Sequence, residues 1–341
     1  MRQNIPKSPI ELTTKLTLHA PNLSVIPNTD DYPWFIREFQ KQLQALEDRN
    51  ELWLPNLRDE NNSIAIFSDY GGESSDSRYY TYSFLICAWD QIGDFTKAMK
   101  TLRSETGLND KEIAFKDFNY GPIKRTLRKY IENLSNLVNG YLLTVVIEKS
   151  VDSIFGTHKN VTQTHILRTL KDAGFGDWKP KVAEKLLRIT HFSVFLVALL
   201  SKEGQKIFWM TDNDAIAPSK ERFNDTLKLF SNLLNHYCKH EFSLVCGATT
   251  FKEKSPQFLD LLSATDIVAG SIEHYFTRKQ TIGDEFTINN DVDHILAWLT
   301  GQGIALKRHT LMIKKEDSRL VSGTIKFNLK EPNLNDSRGC K

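Results

Sequence analysis

The chain is poor in the features that announce most specialised protein classes. It has only four cysteines, Cys87, Cys238, Cys246 and Cys340, and none has CxxC or CxH spacing. A disulfide framework or a zinc site is not expected, and reduced thiols in a cytoplasmic protein fit this usage. Long hydrophobic runs are missing. The most apolar stretch, FSVFLVALL at 192–200, is far shorter than the roughly 20 residues a membrane span needs, so it reads as a buried helix and no membrane role is expected. The opening MRQNIPKSPIELTT lacks the apolar centre of a secretory leader. Excess charge of one sign is missing too: 44 Lys and Arg face 42 Asp and Glu, for a formal charge of +2. No global basic field advertises a nucleic-acid binder, although a whole-chain sum hides local patches. Walker, GxSxG and HExxH motifs, internal repeats and low-complexity tracts are all absent.

What is present is ordinary globular composition, 40% hydrophobic and 25% charged over 341 residues, enough for one large domain or two small ones. Residues 1–32 are polar and hold Pro6, Pro9, Pro21 and Pro27, which suggests an extended arm. Phe35, Phe39, Leu43 and Leu46 then recur at helical spacing after Pro33. SIAIFSDY (63–70) and RYYTYSFLICAWD (78–90), separated by the turn-rich GGESSDS, predict two paired strands. GDFTKAMKTLRSETG predicts a helix stopped by Gly107, EIAFKDF (112–118) alternates as a strand would, and GPIKRTLRKYIENLSNLVNG predicts a helix opened by Pro122. YLLTVVIEKS follows as a strand. Residues 151–204 interrupt the rhythm with two helices, near 161–173 and 180–202. The strand KIFWMTD (206–212), a helix, the strand EFSLVCGAT and the long helix from 255 restore it. A short helix near Asp291–Thr300 and a β pair in LMIKK and GTIKFNL fill the remainder. Strands first, then strands alternating with helices, predict an α/β fold: a mixed sheet with helices on its faces.

Acids stand where this order puts strand ends. Asp69 closes the first strand, Glu112 opens EIAFKDF, Asp212 closes KIFWMTD and Asp214 follows it. Loops beyond strand ends are where α/β proteins build sites. Asp266 is the odd residue, an acid among Leu262, Ala264, Ile267 and Ala269 on a helix patterned for a core. If these acids converge, the repulsion needs cations, and hard Mg²⁺ or Mn²⁺ suits oxygen donors. Each acid alone is more simply a cap, a turn residue or a solvated charge.

The stretch KSPQFLDLLSATDIVAGSIEHYF carries a resemblance. Its Leu262-Ser263-Ala264-Thr265-Asp266-Ile267-Val268-Ala269-Gly270 is similar to the closing helix of an uncharacterised family in the RNase H-like, or retroviral-integrase, superfamily. That family's helix reads leucine-glutamine-x-alanine-aspartate-leucine-isoleucine-alanine-glycine. Its strand running into aspartate-glutamate-serine-glycine is matched by IAIFS and Asp69-Tyr70-Gly71-Gly72, its glutamate stretch by Glu112-Ile113-Ala114-Phe115-Lys116, and its later strand aspartate by Asp212. The order agrees over about 63–276, with departures at Tyr70, Ser263 and Thr265.

The resemblance implies an RNase H-like fold, with Asp69, Glu112, Asp212 and Asp266 as catalytic, metal-binding carboxylates and Asp214 as a further ligand or substitute for Asp212. It also implies Mg²⁺ or Mn²⁺ and phosphodiester hydrolysis of RNA or DNA. A place in phage or mobile-element defence would suit such an enzyme. The alternative is a catalytically inactive subunit that binds nucleic acid or protein in a larger complex. Lys124, Arg125, Arg128 and Lys129 form a stripe that could contact phosphates, or simply a solvated helix face. Nucleic acid is the expected partner, with a protein partner or a second copy also open. The expected organisation is an arm with its helix (1–60), an RNase H-like domain (61–280) with a helical insertion at about 151–204, and a C-terminal extension (281–341).

Overall fold

β-branched and aromatic residues run at period two from Ser63 to Gly71 (β1) and from Tyr79 to Ala88 (β2), and these segments pair antiparallel from Ile64↔Ala88 to Gly71↔Thr81. Gly72 turns the chain between them at φ 87°, where a Cβ would strike the Tyr79 carbonyl. Structure is described here, from a computed structural model, for residue 23 and residues 31–250, 252–283, 289–301 and 303–328. Most of the expected arm, 1–22 and 24–30, and the last residues, 329–341, lie outside this set.

The remaining elements follow in order: α1 (Trp34–Asp48) precedes β1, and α2 (Gly93–Thr106) and α3 (Gly121–Leu137) follow β2. Then come β3 (Gly140–Glu148), α4 (Lys159–Asp172), α5 (Pro180–Leu200), β4 (Lys206–Thr211) and α6 (Lys220–Tyr237). The chain continues through β5 (Leu244–Thr249), α7 (Pro256–Ile282), α8 (Asn290–Leu299), β6 (Leu306–Glu316) and β7 (Arg319–Ile325). They build one seven-stranded mixed sheet in the order β5-β4-β1-β2-β3-β6-β7. The first three strands form an antiparallel meander, and β4 and β5 are added parallel to β1 at one side. This is a mixed sheet of the kind that the resemblance leads one to expect. On the other side, β6 pairs parallel with β3 and hairpins into β7, so residues after 300 widen the same sheet.

Helices cover both faces because strand residues on both faces are apolar. One face (Ile64, Ile66, Phe84, Ile86, Trp209) packs on Phe35 and Phe39 of α1, Phe192 and Phe195 of α5, and Phe230 of α6. The helices of the 151–204 interruption therefore belong to this layer. The opposite face (Ala65, Phe67, Leu85, Cys87, Met210) packs on Met99 of α2, Tyr130 of α3, Leu262 and Ile267 of α7, and Ile295 of α8.

The strand expected at 112–118 is not one. That segment is irregular, with a 3₁₀ turn at Phe115–Asp117, and it lies across the second face with Ile113, Ala114 and Phe118 buried. Its alternation records a chain lying on an apolar surface, and the Phe115 N–H goes to a carboxylate rather than to a neighbouring strand.

Candidate functional site

The parallel pairing of β1 with β4 sets the site. Ser68 lies opposite Thr211, and the next step of the ladder is Asp212 N–H donating to the Ser68 carbonyl at 3.2 Å. Asp69 and Asp212 thus leave adjacent strand ends. By the period of two, Asp69 shares the face of Ala65 and Phe67, and Asp212 the face of Met210. That is the face under α7, the helix that carries Asp266. Asp266 Oδ2 accepts a hydrogen bond from Phe115 N at 2.8 Å, which ties the helix to the irregular segment holding Glu112. Gly270, one turn on, makes this approach feasible, because any Cβ there would collide with the Phe115 ring. Asp69 Oδ1 accepts from its neighbour Tyr70 N at 2.6 Å, and Asp212 Oδ1 from Thr250 Oγ at 3.0 Å.

The acids are near enough to act on one another electrostatically. Burial first, then the charges of Asp266 and Asp212, push the Asp69 carboxyl well above the usual carboxylate range, with Glu112 adding to the effect. Asp266 is pushed up to about 6, chiefly by burial, against the lowering effect of the Phe115 N–H and with repulsion from Asp212. Glu112 is raised by burial and then by Asp212 and Asp266. Lys116 is the cation that offsets this charge, acting through space on Glu112 and Asp266. Half-buried like charges of this kind disfavour one another's ionisation.

The structure therefore brings Asp69, Glu112, Asp212 and Asp266 together, from two strand ends, a loop and a helix. It places Asp214 differently. Asp214 Oδ2 receives Lys185 Nζ at 2.8 Å, and Lys185 also binds Glu73 Oε1 at 2.6 Å, under α5 on the opposite face. Lys124, Arg125, Arg128 and Lys129 are all exposed on α3. Arg125 donates to the Thr106 carbonyl at 2.8 Å and Lys129 pairs with Glu132 at 2.9 Å, so part of the stripe is engaged within the chain.

The donor set is all oxygen, which suits Mg²⁺ or Mn²⁺ better than softer ions. As the side chains stand, no group of three or more among the described residues is closed around a point where an ion could sit.

Sequence reasoning passed over several residues here. Tyr70, noted only as a departure, points away from Asp69. Its hydroxyl hydrogen-bonds Ser68 Oγ at 2.7 Å and Thr211 Oγ at 2.9 Å, and Lys185 Nζ lies 5.0 Å from its ring. The period of two contains that signal. Arg103 and Asp260 form a buried ion pair beneath the site, with Arg103 Nη1 also donating to the carbonyls of Asn109 and Lys111 at 2.6 and 2.9 Å. This pins the start of the Glu112 segment to α7. The signal was Arg103 itself, four residues after Met99 on the buried stripe of α2.

No protein-family model and no curated protein matches the chain. Among solved structures it is similar to ribonuclease H2 from Pyrococcus horikoshii OT3, at 15% identity and a TM-score of 0.31, over 70% of this chain and 85% of that one. It is also similar to a chain of the PCNA:RNase HII complex from Archaeoglobus fulgidus, at 13% identity and a TM-score of 0.31, over 80% of this chain and 99% of that one. Among the described residues no helix is long and apolar enough to cross a membrane.

Proposed function

We propose that the protein is a divalent-metal-dependent nuclease that hydrolyses phosphodiester bonds in RNA or DNA. The observation that carries this reading is the meeting of Asp69, Glu112, Asp212 and Asp266, with Asp69 and Asp266 both held above the normal carboxylate range. A fold has no structural need to bring half-buried acids together without a partner, and charges withdrawn from water are normally paired or coordinate metal. Asp69 and Asp212 would hold the ions from rigid strand ends, Asp266 from α7, and Glu112 from the loop. When bound, Mg²⁺ or Mn²⁺ supplies charge neutralisation at the phosphate and a more acidic water. The Phe115 N–H keeps Asp266 oriented, and Tyr70 N does the same for Asp69. Lys116, which is exposed and acts on Glu112 and Asp266 through space, would meet the substrate backbone, and the exposed α3 stripe would add phosphate contacts. Cleavage of the RNase H type would leave a 3′-hydroxyl and a 5′-phosphate.

The open arrangement of the four carboxylates favours the rival reading, an inactive subunit that binds nucleic acid or protein. One experiment separates the two. Labelled RNA, DNA and hybrid substrates are incubated with wild type and with Asp69→Asn and Asp266→Asn, in Mn²⁺, in Mg²⁺ and in EDTA. The nuclease reading expects metal-dependent cleavage by wild type only, at least 100-fold above either variant, in line with the loss of a directly acting group. Binding without cleavage in any metal supports the subunit.

A further inference from the structure

On the face of the sheet away from Asp69, α4, α5 and the ends of β2 and β3 line an open cavity of about 300 Å³. Its cationic lining is Lys149, Lys159, Lys181, Lys185 and Arg188, and its acidic lining is Glu73, Asp152 and Glu184. The pairings can be followed one by one. Arg188 binds Glu184 at 2.6 Å, Lys185 binds Glu73 at 2.6 Å and Asp214 at 2.8 Å, and Lys159 reaches Asp152 at 3.5 Å. Every acid of the wall is then taken. Lys149 and Lys181 remain with no carboxylate in ion-pairing reach among the described residues.

Lys149 is partly buried, donates to the Ser74 carbonyl at 2.6 Å and lies 4.9 Å from the Tyr80 ring centroid. Burial, with repulsion from Lys181 and Arg78, outweighs attraction from Glu73 and Glu273 and pulls its ammonium below the ordinary lysine range. Arg188 is 6% exposed, and its Nε is buried with no hydrogen-bond acceptor. Lys181 and Val182 belong to the first turn of α5, a 21-residue helix with no acid in that turn. Two lysines without a carboxylate partner and a helix N-terminus favour a negative occupant. The volume lies at the lower end of the range for small-molecule pockets, roughly 300–1,000 Å³.

We infer that this cavity is a binding site for a small phosphate-bearing anion, held chiefly by Lys149 and Lys181 and distinct from the acidic cluster. Apart from the side chains just named, its wall is Tyr80, Tyr82, Val151, Gln163 and Ala215.

Titration calorimetry on the full chain tests this, with inorganic phosphate as the probe and EDTA present so that no metal ion draws phosphate to the acids. Wild type is expected to bind saturably, and a nucleoside monophosphate in a parallel titration tells an organic phosphomonoester from the free ion by which binds tighter. Lys181→Glu and Lys149→Gln should each weaken binding about tenfold, equivalent to roughly 1.4 kcal/mol. Asp69→Asn should leave binding unchanged. Lys181 is exposed, and glutamate suits the start of a helix, so Lys181→Glu should keep the wild-type melting temperature. Absence of saturable phosphate binding by wild type, or equal affinity in wild type and both lysine variants, overturns the assignment.

Discussion

Replacing Asp266 by asparagine should stabilise the metal-free protein. The folded-state pKa of Asp266 is raised from 3.8 to about 6, mainly by burial. A group whose proton is held more tightly in the folded state binds more protons there than in the unfolded chain between those two values, so stability falls as pH rises through that window and then levels. The shift of about two units corresponds to about 3 kcal/mol at pH 8. Asp266→Asn removes this charge and keeps a carbonyl oxygen for the Phe115 N–H, which now donates at 2.8 Å. In EDTA at pH 8 the variant should melt higher by roughly 6 °C, taking about 2 °C per kcal/mol for a chain of this size. Near pH 4 the two proteins should converge. Excess Mn²⁺ should reverse the order at pH 8, because the wild type gains a ligand that the variant cannot hold. Thermal unfolding by circular dichroism from pH 4 to 8 reads all three. A variant no more stable than wild type at pH 8 in EDTA would refute the view that Asp266 is ionised against its neighbours.

Other perturbations probe the scaffold around the acids. Gly270→Ala should cost about 1–3 kcal/mol by forcing the Phe115 ring away, and should impair cleavage more than its stability loss explains, since Glu112 travels with that segment. Urea denaturation and an activity assay measure the two parts. Asp260→Ala leaves the buried Arg103 without its carboxylate and should destabilise by about 3–5 kcal/mol, seen as a lower urea midpoint. Tyr70→Phe removes the hydroxyl bonds to Ser68 and Thr211 and should cost about 1–2 kcal/mol while leaving metal binding intact, because Tyr70 faces away from the acids.

Much of the sheet could be seen in the sequence because its strands are locally unambiguous. SIAIFSDY, YLLTVVIEKS and KIFWMTD are β-branched and aromatic runs bounded by turns, and they became β1, β3 and β4. Pairing is a different matter. That β6 would lie parallel to β3 depends on distant residues that no local period encodes. EIAFKDF misled because an irregular chain on an apolar surface can alternate as a strand does, while its backbone hydrogen bonds go elsewhere. Among the acids, Asp69 and Asp212 could be paired on paper through the strand ends, and Asp266 stood out against its apolar neighbours. Asp214 looked equivalent to Asp212, yet two residues further along it meets Lys185 instead. The buried partners Arg103 and Asp260 went unseen because each sits at an ordinary spacing, and only the packing of α2 on α7 gives one to the other.

The central claim is that these four carboxylates hold divalent ions. Mn²⁺ titration followed by electron paramagnetic resonance tests it most directly, since bound ions lose the sharp signal of the free aqueous ion. Wild type at pH 7.5 is expected to quench that signal saturably, and to do so far less at pH 5, where Asp266 takes up its proton. Asp69→Asn and Asp266→Asn should each weaken the binding at least tenfold. Quenching of equal strength in wild type and both variants, or none by wild type at millimolar Mn²⁺, would contradict the account.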